Sequence, residues 1–150
     1  MSKPPPDKLS IIVFSGDFEK VHYALVMASA AAAINTPVTL FFTMGACRVL
    51  ADKGPDGEAA WRSLPVNFHS GLAARTGGEV DDHFKQTKVA HFEELLLACA
   101  ELGVRFLVCE MGLRAMDLEE KPLRDDLPIE QGGVVTFIED ASNDGAMIFI

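Results

Sequence analysis

The sequence predicts an α/β fold: a parallel sheet of four to five strands with helices on both faces. Two observations carry this. Several short runs are continuously apolar and β-branched, without polar alternation, as in strands buried on both sides. Those runs alternate with stretches of helical period, so that strand, helix, strand is the repeating theme of the chain.

Leu9 to Phe14 (LSIIVF) is the first such run and stops at Ser15-Gly16-Asp17. From Asp17 the period becomes helical: Val21, Leu25, Ala28 and Ala32 recur three to four residues apart, and Asn35 before Pro37 ends the helix. Val38 to Thr43 (VTLFFT) is the second strand, which completes a βαβ unit with an expected right-handed crossover. Met44 to Lys53 suits a short helix closed by Gly54-Pro55.

Residues 54–86 contain no long periodic stretch and read as a long loop region (a functional loop, an oligomer contact or a partly disordered segment), anchored in part by Trp61 and Phe68. A helix is predicted from Thr87 or Lys88 to Gly103, with Phe92, Leu95, Leu96, Cys99 and Leu102 on one face and Glu93 and Glu94 on the other. Val104 to Cys109 (VRFLVC) is a third strand, and Glu110 to Leu118 a short helix. After a charged segment, Gly132-Gly133 opens VVTFIEDASNDG. Its first half is β-branched, but the stop at Asn143-Asp144-Gly145 and the closing strand AMIFI favour a helix.

The length of 150 residues suits one domain, here 9–150, preceded by an extended arm at 1–8 that contains three prolines. Twenty-two acidic residues against 13 Lys and Arg give a net charge of −9, which argues against a partner held through its phosphates, so no nucleic acid is expected. The longest apolar run, Tyr23 to Ile34, is too short to span a bilayer. The start MSKPPPDK is unlike a signal peptide, and a cytoplasmic protein is expected. Cys47, Cys99 and Cys109 are too few for a disulfide framework and are expected as free thiols.

In open α/β sheets ligands bind at the carboxyl ends of the strands. The candidates there are Ser15, Gly16 and Asp17, then Gly45 and Cys47, then Cys109 with Met111 and Gly112. Cys109 ends a strand and opens a helix, where backbone N–H groups favour a thiolate. The adjacent Glu110 acts against this, and a buried cysteine that completes the strand is the competing reading. Cys47 suits helix packing or a supporting role. With the strand order expected for this topology, the first strand separates the Cys47 and Cys109 strands by two spacings, roughly 9–10 Å, beyond disulfide reach.

Cys99 lies mid-helix on an apolar face and reads as core. The Ser15-Gly16-Asp17 turn suits either an anion or simple helix capping. No cofactor and no metal are expected. The chain has no GxGxxG and no P-loop, and His22, His69, His83 and His91 lack ligand spacing. Asp81-Asp82 and Asp125-Asp126 read as solvated loop charge, and His91 with Glu94 as a surface pair.

Four stretches taken in order carry a resemblance: IIVFSGDFEKVHYALVMASAAAA, VTLFFTMGACRVL, ELGVRFLVCEMGLRAMDL and GGVVTFIEDASNDGAMIFI. The chain resembles the DsrE/DsrF-like family, within it the DsrE-like sulfur carriers of the peroxiredoxin-like branch. The resemblance leaves out roughly residues 54–86. It implies a flavodoxin-like fold and a homo-oligomer with the cysteine close to a subunit contact. It also implies a persulfide on Cys109, passed from a sulfur donor to an acceptor thiol. An oligomeric binding or scaffold protein with a structural Cys109 is the alternative, followed by a nucleotide or flavin binder.

Overall fold

The structure is a computed structural model and describes residues 3–67 and 74–150. Five strands, β1 (Leu9–Val13), β2 (Val38–Phe42), β3 (Arg105–Cys109), β4 (Ile129–Gly132) and β5 (Ala146–Phe149), form one parallel sheet in the order β4-β3-β2-β1-β5. Among the described residues five α-helices accompany it: α1 (Phe18–Ala33), α2 (Gly77–Gln86), α3 (Phe92–Glu101), α4 (Glu110–Ala115) and α5 (Val134–Asp140). The flavodoxin-like α/β arrangement is therefore present, with helices on both faces.

The winding explains which helix lies where. From β1 to β4 the chain steps across the sheet in one direction, and right-handed crossovers put the connecting helices on one face. From β4 it runs back to the far edge beside β1, so the same handedness places α5 alone on the opposite face. Alternation along the strands matches. Ile11, Val13, Leu40, Phe42, Phe106 and Val108 enter the large core that includes Val21, Leu25 and Ala28 of α1 and Phe92, Leu96 and Cys99 of α3. Phe41, Leu107 and Cys109 point the other way, with Ile12 beside them, and meet Phe137 of α5. At about 1.5–3 kcal/mol per large apolar side chain removed from water, the first layer dominates stability and the second is thin.

This order corrects one expectation. β1 does not separate the Cys47 and Cys109 strands; β2 and β3 pair directly, with Phe42 opposite Val108. The chain keeps adding strands outward after β2, and its reversal comes only after β4.

Other expectations also change. Residues 54–86 are not one long loop: a 3₁₀ turn spans Ala60–Ser63 and α2 spans Gly77–Gln86. Thr76 and Glu79 form a reciprocal cap, in which the Glu79 N–H donates to Thr76 Oγ1 at 3.3 Å and the Arg75 N–H donates to Glu79 Oε2 at 3.0 Å. Asp81 of α2 is buried rather than solvated and accepts the Phe92 N–H at 2.7 Å, which joins α2 to the start of α3. α3 accordingly begins at Phe92, not at Thr87, and Leu102 beyond its end is exposed. Met44–Leu50 is a 3₁₀ helix.

β4 carries no apolar run. As an edge strand with Glu130 and Gln131 exposed, it escapes a search for buried strands. Trp61 is buried, stacks on Phe92 at 4.6 Å and donates Nε1–H to Glu93 at 2.9 Å. The readings of Phe68 and His69 lie outside the described residues. Among the described residues, no helix is long and apolar enough to cross a membrane.

Candidate functional site

The reversal of winding singles out one place on the carboxyl edge of the sheet. β3 leads into α4 on the α1 side, whereas its neighbour β4 leads through Gly132-Gly133 into α5 on the other side. Where adjacent strands send their connections to opposite faces, the chain opens a crevice between their carboxyl ends. Cys109 is the last residue of β3, and its partner in the register is Gly132. A shallow cavity of about 190 Å³ lies here, lined by Glu110, Leu113, Arg114, Glu119 and Gln131.

Cys109 itself is 1% exposed, packed among Phe41, Leu107 and Phe137. Phe137 stacks on Phe41 with ring centroids 4.9 Å apart and 17° between planes. Gly132 makes this closure possible. A Cβ there would stand 2.9 Å from Leu107 Cδ1 and 3.2 Å from Thr136 Cγ2. The far end of α5 is held by Asp140, which accepts from Thr39 Oγ1 at 2.6 Å and Arg105 Nη1 at 2.7 Å and pairs with Lys8 Nζ at 2.9 Å. Burial works to raise the Asp140 carboxyl, but the hydrogen bonds from Thr39, Lys8 and Arg105 and the Lys8 charge outweigh it and hold the group below its ordinary value.

The other residues singled out in the sequence form a packed seam. A Cβ on Gly16 would lie 2.8 Å from the Gly45 carbonyl oxygen, and one on Gly45 would lie 2.9 Å from the Gly16 nitrogen. The loops after β1 and β2 thus meet backbone to backbone. Next in the seam, Gly112 of α4 abuts Met44 N and Cys47 Sγ, at 2.7 and 3.0 Å from its would-be Cβ. Ser15 Oγ accepts the Asp17 N–H at 3.1 Å, and Asp17 occupies the N-cap of α1 without a side-chain cap bond. Ser15 and Asp17 belong to the β1 end of the seam, two strands from Cys109. Met111 is exposed.

The three cysteines are free and buried. Cys47 packs in the large core, its Sγ 3.8 Å from the Phe42 carbonyl oxygen. Burial, and then the neighbouring Cys109, push its thiol up to about 12. Cys99 is likewise pushed up to about 12 by burial, with Sγ 3.7 Å from the Leu25 carbonyl oxygen. At neutral pH both are protonated, which suits packing. Cys109 alone of the three lies in the thin layer under α5.

Sequence reasoning passed over Phe137, Gly132 and Asp140. The doubled glycine before an aromatic-bearing helix was the available signal for the first two. Asp140 gave none, because its partners come from three distant segments. Asp126 is exposed, as expected of a loop charge, and it also joins Glu93 in holding the buried guanidinium of Arg124. His91 and Glu94 do form the expected surface pair, at 3.0 Å.

Fold and site together define a class: a small parallel α/β protein whose candidate reactive group is one cysteine at the carboxyl edge of its sheet. The chain belongs to the DsrE/DsrF/DrsH-like family, which it matches over residues 5–149. It is 28% identical over 160 residues to the uncharacterized protein YrkE of Bacillus subtilis, covering 95% of this chain and 96% of that one. It is 25% identical over 157 residues to the sulfur carrier protein DsrE2 of Allochromatium vinosum, covering 95% and 98%. Among solved structures the ychN protein from E. coli superposes with a TM-score of 0.55 at 16% identity, over 95% of this chain and 98% of that one, a likeness of fold.

Proposed function

We propose that the chain is a sulfur carrier that holds sulfane sulfur on Cys109 and passes it to an acceptor thiol. The observation that carries this reading is the position of Cys109 at the carboxyl end of β3, where the winding of the sheet reverses. Family membership and the similarity to a sulfur carrier support it. In the loading step the Cys109 thiolate attacks the outer sulfur of a donor persulfide R–S–SH. A new S–S bond forms, the donor S–S bond breaks and RS⁻ leaves, giving Cys109–S–SH. In the second step an acceptor thiolate attacks that outer sulfur, and Cys109 leaves as thiolate. The electrons balance without an external oxidant.

The partners of this scheme are sulfur-donor and sulfur-acceptor proteins or small sulfane-sulfur compounds. A homo-oligomer is part of the proposal. Met147 and Phe149 of β5 are large apolar side chains left in water at the sheet edge, and Phe149 lies against the half-exposed Phe14, the rings tilted by 32° with centroids 5.3 Å apart.

One observation favours a second reading, an oligomeric binding module with a structural Cys109: the side chain is almost wholly covered. Intact mass after incubation with polysulfide separates the two. The carrier gains one or more sulfur atoms that reductant removes, and Cys109→Ser gains none. Equal loading of wild type and Cys109→Ser overturns the assignment.

A further inference from the structure

A carrier thiol has to meet two partners, yet Cys109 is 1% exposed in this fold. What covers it is α5, and α5 is attached unevenly. On the α1 side the sheet is buried under several helices that share one continuous core. On the other side the cover, among the described residues, is a single seven-residue helix whose one buried residue is Phe137. The exposed surface of α5 carries Val134, Val135 and Ile138.

The two ends of α5 differ. At its carboxyl end Asp140 ties it to Lys8, to Thr39 of β2 and to Arg105 of β3, three attachments from three segments. At its amino end the chain enters through Gly132-Gly133, and Gly133 makes no close approach; a Cβ there would meet nothing within 4 Å. Cys109 lies at this second end, opposite Gly132 in the register. The thiol thus sits beside the end of the helix that the Gly132-Gly133 link joins to β4, and the end anchored by Asp140 lies toward the amino edge of the sheet.

We propose that α5 is a hinged cover over Cys109. Phe137, stacked on Phe41, is the latch, Asp140 the pivot that keeps the far end in place, and Gly133 the joint in the connecting chain that turns as the near end lifts. Phe137 is a positioning residue in this scheme: it acts on the exposure of Cys109 and takes no part in the sulfur transfer. Opening requires one aromatic side chain to leave a layer of four buried residues, Phe41, Leu107, Cys109 and Phe137, while the large core stays intact. In the closed state the same layer excludes water and stray thiols from whatever Cys109 holds. The inference rests on the carrier reading for its purpose, but its geometry stands without it.

The test is alkylation of the native full-length chain by iodoacetamide, quenched over time and read peptide by peptide. Cys47 and Cys99, buried in the large core, report global unfolding. The cover predicts that Cys109 labels at least about tenfold faster than either, through local opening. Phe137→Ala is expected to accelerate Cys109 by about tenfold or more and to leave Cys47 and Cys99 within about twofold of wild type. Gly133→Ala, which meets no steric obstacle, is expected to slow Cys109 by removing freedom at the joint.

Labelling of all three cysteines in step, or equal acceleration of all three by Phe137→Ala, overturns the proposal. If Phe137→Ala does not fold, the wild-type ratio and the Gly133→Ala rate decide alone. Polysulfide loading in parallel keeps the two claims apart. Selective labelling of Cys109 without sulfur uptake sinks the carrier and leaves the cover. Sulfur uptake on Cys109 with labelling in step sinks the cover and leaves the carrier.

Discussion

Gly16→Ala places a methyl group against the backbone of the neighbouring loop, and the consequence can be worked from distances. The new Cβ would stand 2.8 Å from the Gly45 carbonyl oxygen, 3.0 Å from its carbon and 3.2 Å from its Cα. Ordinary contact begins near 3.4 Å, so the loops after β1 and β2 must part by 3.4 minus 2.8, or 0.6 Å. No side-chain rotation relieves the clash, because every atom met is backbone. Both loops leave strands already paired in register, Val13 opposite Phe42. Overpacking of this kind costs about 1–3 kcal/mol, which for a chain of this size lowers the melting temperature by roughly 3–10 °C.

Gly45→Ala meets Gly16 N at 2.9 Å across the same gap and should cost about as much. Once the loops have parted for one methyl, the second costs less, so the double variant falls short of the sum. Gly133→Ala, with open space around it, is the control and should stay within about 0.5 kcal/mol. Calorimetry of the four variants beside the wild type checks this. A Gly16→Ala melting temperature equal to wild type, or full additivity in the double variant, refutes the backbone seam.

Three further outcomes are expected. Arg124 is buried, and two carboxylates, Glu93 and Asp126, hold it; Arg124→Met should lose about 1.5–3 kcal/mol in urea unfolding, since hydrogen bonds to charged groups are the strong ones. Asp140 is held below its ordinary value of about 3.9, so its contribution is full above that pH and disappears as pH falls through the lower folded value. Urea midpoints of the wild type should therefore drop faster below about pH 4 than those of Asp140→Asn, and parallel curves would refute the pivot. Trp61→Phe keeps the stacking on Phe92 but loses the Nε1–H bond to Glu93, with an expected loss of about 0.5–1.5 kcal/mol.

Elements with a dense apolar signal were legible in the sequence. LSIIV, VTLFF and RFLVC are buried strands, and their run lengths placed them within a residue of the observed ends. Cys109 at the end of the third was legible for the same reason. The order of the strands was not, because it depends on where the chain turns back, and no residue in the β1–β2 region encodes that decision. α2 escaped because GGEVDDHFKQ has little apolar content, although Thr76 and Glu79 three residues apart gave a start signal.

The role of Asp81 was hidden as well. A carboxylate beside a second carboxylate looks solvated until a distant backbone N–H, that of Phe92, is brought to it. In the site, proximity along the chain favoured Met111 and Gly112 as neighbours of the thiol. Packing instead gives that place to Phe41, Leu107 and Phe137, which come from three other elements or strand positions. Period-2 alternation shows that Cys109 shares a face with Leu107, but only the crossover from β4 back to β5 determines which helix covers that face.

Cys109 as the group that carries sulfur is tested most directly by locating the sulfur among the three thiols. The native protein is loaded with polysulfide, freed of excess, trapped by alkylation and digested, and the peptides of Cys47, Cys99 and Cys109 are weighed separately. The expected result is extra sulfur on the Cys109 peptide alone, removed by reductant, with Cys47 and Cys99 unmodified. Sulfur on Cys47 or Cys99 with Cys109 bare, or an even spread over all three, would contradict it.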